Sequence, residues 1–149
     1  MAHKARSYDD LSVGETFDTP SYLLTRAEIK HFAAAYDPQP MHLDDAAARE
    51  TLFGQLVASG WQVAALSMRL MVEARPFGAT PLIGLEGDNI RFQNPVLPDS
   101  RIRARLRITR LEPSSNPKRG FAYLSLETFN ANNGQPLLSF ESKTILPRM

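Results

Sequence analysis

Apolar residues are densest between residues 60 and 73, where the chain reads GWQVAALSMRLMVE. Apolar positions on nearly every side of this segment predict a central helix that is buried on most sides. The segment is too short, and too interrupted by Gln62, Ser67 and Arg69, to cross a membrane. Ser59 stands directly before it and has the side chain of a helix N-cap.

The pattern changes to strands after this helix. Arginines alternate with apolar residues from Arg101 to Ile108, which is typical of a sheet buried on one face. Asn133-Gly134 predicts a hairpin between the last two strands, because Asn-Gly suits a turn with positive φ. The predicted strands cover residues 82–92, 100–111, 121–130 and 137–146, after an earlier extended segment at 17–24. One apolar helix followed by antiparallel strands predicts an α+β fold with the sheet curled around the helix.

A second helix is predicted upstream, over residues 25–35. Thr25 and Glu28 form a capping box at its start, and Pro38 ends it because the residue before a proline avoids the α region. Asp44 is the predicted N-cap of a short third helix at 45–52. The loop between these two helices, stiffened by prolines, carries polar side chains that suit chemistry.

Asp37 and His42 lie on this loop and make a candidate acid/base pair. A carboxylate and an imidazole held close together can share one water molecule, which one deprotonates and the other orients or reprotonates. The alternative is that Asp37 makes a turn hydrogen bond and that His42 is solvated. The spacing of the two residues alone favours this alternative.

Gly60 supplies a second candidate function at the start of the central helix. The first backbone N–H groups of a helix lack partners within the helix, and they stabilise negative charge that develops on a thioester oxygen. A glycine lets a substrate approach these groups closely. The alternative is a glycine required only by packing.

The run from Tyr36 to Gly60 resembles the MaoC-like dehydratases, which include the (R)-specific enoyl-CoA hydratases. The family pattern of Asp, Asn, Pro, His, an acidic residue and the glycine of the central helix falls on a matching set of positions: Asp37, Gln39, Pro40, His42, Asp44 and Gly60. Gln39 replaces the Asn, and Tyr36 replaces a glycine that many members have. A weaker similarity continues through residues 91–96, and the whole resemblance covers most of the chain.

This resemblance implies one hotdog domain over residues 1–149, a curved antiparallel sheet wrapped around the central helix. It implies that the chain pairs into a homodimer or a multiple of one, and that its substrate is an acyl-CoA. We expect Asp37, His42 and Gly60 to be catalytic. Three further residues are predicted to contact substrate: Gln39, Ser59 and Trp61. For Trp61 the first interpretation is a core position, and the second is a wall of the acyl pocket next to Gly60. Coenzyme A enters only as the thioester carrier, and no cofactor is predicted.

Composition and charge argue against several other kinds of protein and binding site. The 149 residues carry a net charge of +1, which argues against a nucleic-acid partner. There is no cysteine, and the three histidines lack zinc-ligand spacing, so no metal site is predicted. The first twenty residues contain no apolar signal segment, which predicts a cytoplasmic protein without a membrane partner.

The arginine row at positions 101, 103, 105 and 107 has two interpretations. The simpler is a solvated sheet face. In the other, some of these arginines, or Lys118 and Arg119, bind the phosphates of coenzyme A.

The leading hypothesis is a hydro-lyase that adds water reversibly to a trans-2-enoyl-CoA and yields the (R)-3-hydroxyacyl-CoA. One alternative is an acyl-CoA thioesterase, although the central helix carries its only carboxylate, Glu73, at the far end. The other is a catalytically silent acyl-CoA-binding hotdog subunit, which the replacement of Asn by Gln39 leaves open.

Overall fold

The computed structural model describes residues 3–149. The helices are α1 (Arg26–Tyr36), α2 (Pro40–Leu43), α3 (Asp45–Arg49) and α4 (Gly60–Ala74). The strands are β1 (Thr16–Asp18), β2 (Tyr22–Leu24), β3 (Ile83–Phe92), β4 (Ser100–Pro113), β5 (Arg119–Asn130) and β6 (Pro136–Pro147). A single turn of 3₁₀ helix at Tyr8–Asp10 precedes them.

The six strands form one antiparallel sheet in the order β1-β4-β5-β6-β3, with β2 also paired to β4. Alternate residues of β4 are buried, and they pack with the buried residues of β5, β6 and α4 in one apolar core. The core-facing residues of β4 are Ile102, Ala104, Leu106 and Ile108, and the four arginines between them are exposed. The predicted half-buried strand and the α+β hotdog arrangement are confirmed.

The predicted hairpin is also confirmed, since β5 and β6 pair antiparallel on either side of a loop at 131–135. Gly134 has a φ of 75°, a left-handed conformation that glycine adopts without a Cβ clash. The side-chain oxygen of Asn133 accepts a hydrogen bond from the Gln135 N–H at 2.9 Å. Asn and Gly therefore close this loop, which is longer than a two-residue turn.

Helix α1 begins where the capping box predicts. The Thr25 side chain accepts from the Glu28 N–H, and the Glu28 carboxylate accepts from the Thr25 N–H. The helix ends at Tyr36, one residue later than predicted, and Asp37 is its C-cap. The loop beyond it differs from the prediction, because Pro40 starts a turn of α-helix that carries His42. A proline at the first helical position loses no intrahelical hydrogen bond, which explains this start.

One side of helix α4 packs against the sheet, and its buried apolar residues there are Val63, Leu66, Leu70 and Met71. Its opposite side carries an apolar stripe that is exposed in the single chain: Trp61, Ala65, Met68 and Val72. The prediction of a helix buried on most sides is therefore wrong for one chain. Trp61 is 59% exposed, so its expected core position is wrong as well. Among residues 3–149, no helix is long and apolar enough to cross a membrane.

Strand β3 lies at the edge of the sheet, and every residue of it is exposed. Its apolar side chains include Ile83, Leu85, Ile90 and Phe92, each exposed by between 41% and 52%. An unpaired edge with apolar side chains is a surface that proteins usually cover. The edge of β3 and the stripe of α4 are thus two apolar surfaces that the described residues leave uncovered.

Candidate active site

Ser59 connects the central helix to the candidate acid. Its side chain is fully buried, and its hydroxyl donates a hydrogen bond of 2.7 Å to Asp37 Oδ2. The Ser59 Oγ also accepts a longer bond of 3.3 Å from the Trp61 N–H, as an N-cap does. One side chain therefore caps α4 and fixes the carboxylate at the end of α1.

His42 is held from its other side. The ring is buried, and its Nδ1 lies 2.7 Å from the Val57 carbonyl oxygen. Because a carbonyl oxygen only accepts, Nδ1 carries the proton, and Nε2 is left as the ring nitrogen that faces Asp37. The distance between His42 Nε2 and Asp37 Oδ2 is 3.3 Å. The structure thus brings together the two residues of the predicted pair.

Gln39 also contacts the carboxylate, since its Nε2 donates to Asp37 Oδ1 at 2.6 Å. The Ser59 hydroxyl has the largest effect in lowering the pKa of Asp37 below its ordinary value, while burial raises it. The Gln39 amide and His42 lower the pKa further. Asp37 is therefore a carboxylate at neutral pH, with a donor on each oxygen.

The pair lies in the wall of a cavity of about 300 Å³. Apolar side chains make most of its lining, including Met41, Phe53, Val63 and Leu137. Asp37 and His42 line it together with Gly60 at the start of α4, and Gln93 and Asn94 are further polar residues of the lining. An apolar cleft with a few convergent polar groups is the usual form of a small-molecule site.

Gly60 lines this cavity, and no described residue accepts a hydrogen bond from its N–H. The Phe92 ring covers its other side, so that a Cβ at Gly60 would come within 2.6 Å of Phe92 Cδ1. Phe92 in turn packs edge-on against Trp61, with ring centroids 5.5 Å apart. Both interpretations of Gly60 thus find support, because its N–H is free and its packing excludes a side chain.

Two parts of the site were not predicted from the sequence. Val57 acts through its backbone carbonyl, which any residue type supplies, so no sequence signal marks it. Phe92 directly precedes Gln93, Asn94 and Pro95, which also line the cavity. The weaker similarity noted at 91–96 was the available signal for this wall. Within residues 3–149, no cluster of His, Cys, Asp and Glu is placed to hold a metal ion.

Comparison with known proteins identifies the family. The sequence profile described as MaoC like domain matches residues 10–128. The chain belongs to the MaoC-like family. A MaoC-like dehydratase from Rhodospirillum rubrum has a similar structure, with a TM-score of 0.87, 35% sequence identity, and 96% of this chain and 97% of that chain covered.

Two further relatives support the assignment. Protein MaoC of Klebsiella aerogenes is 36% identical over 107 residues, which span 70% of this chain but 31% of that longer protein. The (R)-hydratase from A. caviae involved in PHA biosynthesis has a TM-score of 0.73 and 26% identity, covering 91% of this chain and 96% of that chain. The family relation supports a hydratase or dehydratase in general terms.

The hydrogen bond from Ser59 to Asp37 predicts that the pKa of Asp37 will rise when the Ser59 hydroxyl is removed. In Ser59→Ala the pKa of Asp37 rises, since the donor with the largest lowering effect is gone. An NMR titration of the Asp37 carboxyl carbon measures this pKa. The matched control is Ser67→Ala, which removes another buried hydroxyl, one that bonds to Val63 and Thr128. A group with a lowered folded-state pKa stabilises the fold above its unfolded pKa. The loss in free energy of unfolding caused by Ser59→Ala therefore becomes smaller as the pH falls through the folded-state pKa of Asp37. An Asp37 titration that is the same in Ser59→Ala and in the wild type would contradict the role given to this hydrogen bond.

Proposed function

We propose that the protein is a hydro-lyase that hydrates a trans-2-enoyl-CoA reversibly to the (R)-3-hydroxyacyl-CoA. The observation that carries the proposal is the pair of Asp37 and His42, 3.3 Å apart, in a cavity beside the free Gly60 N–H. A carboxylate, an imidazole and an oxyanion donor are the groups this reaction needs. Membership of the MaoC-like family supports the same class of reaction.

In the proposed step, one water molecule contacts both members of the pair. Asp37 takes a proton from the water as the water oxygen bonds to C3, and His42, which enters the step with a proton on each ring nitrogen, gives the Nε2 proton to C2. The lowered pKa of Asp37 keeps it ionised, so its carboxylate is free to accept this proton, and we assign the donor role to His42. The proton on Asp37 then returns to His42 across the short gap, which restores the pair.

Negative charge moves from C3 toward the thioester oxygen as the C–O bond forms. The Gly60 N–H, at the positive end of α4, is the donor we assign to this oxygen. The apolar lining around the pair holds the acyl chain and lowers the local dielectric, which strengthens this bond. As proposed, the reaction uses no metal or cofactor, and coenzyme A serves as the carrier of the acyl group.

A thioesterase is less consistent with the site. Glu73, the carboxylate of α4, bonds to Arg69 at 2.9 Å on the exposed side of the helix and does not line the cavity. A silent acyl-CoA-binding domain would have no need for two hydrogen-bond donors and a histidine around Asp37. Incubation of the protein with crotonyl-CoA tests all three functions. We expect loss of the enoyl-thioester absorbance without release of free thiol, whereas thiol release indicates a thioesterase and no change indicates a silent domain.

The pair is expected to act as a unit. Asp37→Asn and His42→Ala should each lower kcat by roughly 10³-fold or more, because each removes one half of the same proton transfer. The double variant should be scarcely slower than either single variant. Thermal unfolding of the variants checks that the fold is kept. Losses that simply multiply would contradict a shared water.

The double variant Gly60→Ala/Phe92→Leu separates close approach of a substrate from packing as the reason for a glycine at this position. The added methyl clashes with Phe92, so the single variant should lose activity whichever interpretation holds. The double variant Gly60→Ala/Phe92→Leu relieves the clash and keeps the N–H. We expect it to regain activity to within about tenfold of Phe92→Leu alone, which is the matched control. No recovery in kcat would show that the backbone itself must be approached more closely than an alanine permits.

Gln39 replaces an Asn of the family pattern, and its amide already reaches Asp37. Gln39→Ala should lower kcat by about 10–100-fold, because the carboxylate loses one of its donors. Gln39→Asn should bring no gain, since the longer side chain is already in place. An increase of about tenfold or more in Gln39→Asn would show that the native pair is poorly aligned.

We also propose that two copies of the chain cover the edge of β3 and the stripe of α4. Both features are apolar and exposed, and Phe92 and Trp61 belong to them as well as to the cavity wall. Pairing of β3 edges would supply the missing hydrogen bonds, and the stripe would lose water contact. Acyl-CoA would then bind beside the interface.

Met68→Lys should break this dimer, because it places a charge in the centre of the stripe. Val13→Lys is the control, since Val13 is exposed at 61% in the turn before β1, a strand at the opposite end of the strand order from β3. Light scattering at micromolar concentration should give a dimer, or a multiple of one, for the wild type and for Val13→Lys. A fully active wild-type monomer would contradict the proposal.

A further inference from the structure

Gln62 is a buried amide in the first turn of α4 to which the proposed reaction gives no role. Its side chain is 8% exposed, and its Nε2 donates a hydrogen bond of 3.1 Å to the backbone carbonyl oxygen of Glu28, in the first turn of α1. No described residue donates a hydrogen bond to its Oε1. Gln62 is not among the residues that line the catalytic cavity, so contact with substrate does not account for it.

Packing does not account for this amide either. Burial of an amide is unfavourable unless both of its polar atoms have partners. The Glu28 carbonyl does not require the bond, because a carbonyl inside a helix already accepts from the N–H four residues further on. An unbranched apolar side chain such as that of methionine would fill the same space without a polar atom to satisfy. The bond to α1 is the one contact that methionine could not make.

This bond is the second of two that join the start of α4 to α1. Ser59 and Gln62 are three positions apart, or about one turn of helix. Their partners are the two ends of α1, because Ser59 bonds to Asp37 at the C-cap and Gln62 bonds to Glu28 in the first turn. The nine positions between Glu28 and Asp37 span about 13 Å of helix. Two hydrogen bonds from the start of α4 therefore hold both ends of α1.

The angle between the two helices depends on this second bond. The bond at Asp37 fixes one end of α1, and without a second one the angle would be left to the packing of Ile29 and Ala33. Apolar contacts are not directional, so they set an angle less sharply than a hydrogen bond does. His42 would not follow a rotation of α1, because its ring is fixed by the Val57 carbonyl oxygen. The 3.3 Å distance between Asp37 Oδ2 and His42 Nε2 would then change.

We propose that Gln62 is a positioning residue for the catalytic pair, and that its bond to the Glu28 carbonyl sets the angle of α1 at which Asp37 meets His42. The inference rests on the proposed function for the role of the pair. Gln62 acts through α1 and touches neither the substrate nor the reacting atoms. A displacement of about 1 Å in a catalytic group can cost about 100-fold in rate, so a small change in this angle is enough to be measured.

Gln62→Met tests this role, because it keeps an unbranched buried side chain and removes the bond to α1. We expect the melting temperature Tm to stay at or above the wild-type value, since a buried amide is removed and no new unpaired group is left. We expect kcat for crotonyl-CoA hydration to fall about 10–100-fold with little change in KM. An NMR titration should show a higher pKa for Asp37, because the carboxylate moves away from Ser59 and His42, which both lower that pKa.

Ser67→Ala is the matched control and should give the opposite result. Ser67 is also buried on α4, but its hydroxyl bonds to Val63 of the same helix and to Thr128 of β5, and not to α1. Its removal should lower Tm and leave kcat and the Asp37 titration near their wild-type values. An unchanged kcat or an unchanged Asp37 titration in Gln62→Met would overturn the proposal. A fall in Tm as large as that of Ser67→Ala would also overturn it, since Gln62 would then be an ordinary core contact.

The titration separates this inference from the proposed reaction, because it needs no substrate. A raised Asp37 pKa in Gln62→Met, in a protein whose wild type does not hydrate crotonyl-CoA, would support the role of Gln62 in positioning Asp37 and disprove the proposed reaction. Hydration by the wild type that Gln62→Met retains in full would overturn the positioning role and leave the proposed reaction in place.

Discussion

The bond between Ser59 and Asp37 is the interaction on which the site depends. A single hydroxyl caps the central helix, holds the carboxylate and lowers its pKa. The bond joins the end of α1 to the start of α4, two elements far apart in sequence. The position of Asp37 relative to His42, and of both relative to the Gly60 N–H, follows from it. Burial of Ser59 makes this arrangement stiff, since no water competes for its hydroxyl.

Much of the fold was predictable because its signals are local. The capping box of α1, the alternation of β4 and the Asn-Gly loop each depend on residues near one another in sequence, and each prediction is confirmed. Helix α2 was missed because a proline reads as a helix end, although Pro40 occupies the one helical position that favours it. The exposed stripe of α4 was missed because hydrophobicity predicts that a surface is covered, and does not say whether the same chain covers it.

The candidate site was predictable only in part. Asp37, His42 and Gly60 carried a recognisable pattern, and the structure places them around one cavity. The carbonyl of Val57, which fixes the protonated nitrogen of His42, has no side-chain signature. The ring of Phe92 against Gly60 joins positions remote in sequence, and only the folded chain shows their contact. Long-range packing of this kind turns a pattern of residue types into a geometry.

Hydration of crotonyl-CoA in heavy water tests the central claim, that Asp37 and His42 act through one water on one face of the double bond. Their atoms lie 3.3 Å apart, so hydroxyl and proton must arrive from the same side. We expect one deuterium at C2, placed syn to the new hydroxyl at C3, in the (R)-3-hydroxybutyryl-CoA observed by NMR. A deuterium placed anti to the hydroxyl would contradict the account, because groups this close cannot reach opposite faces.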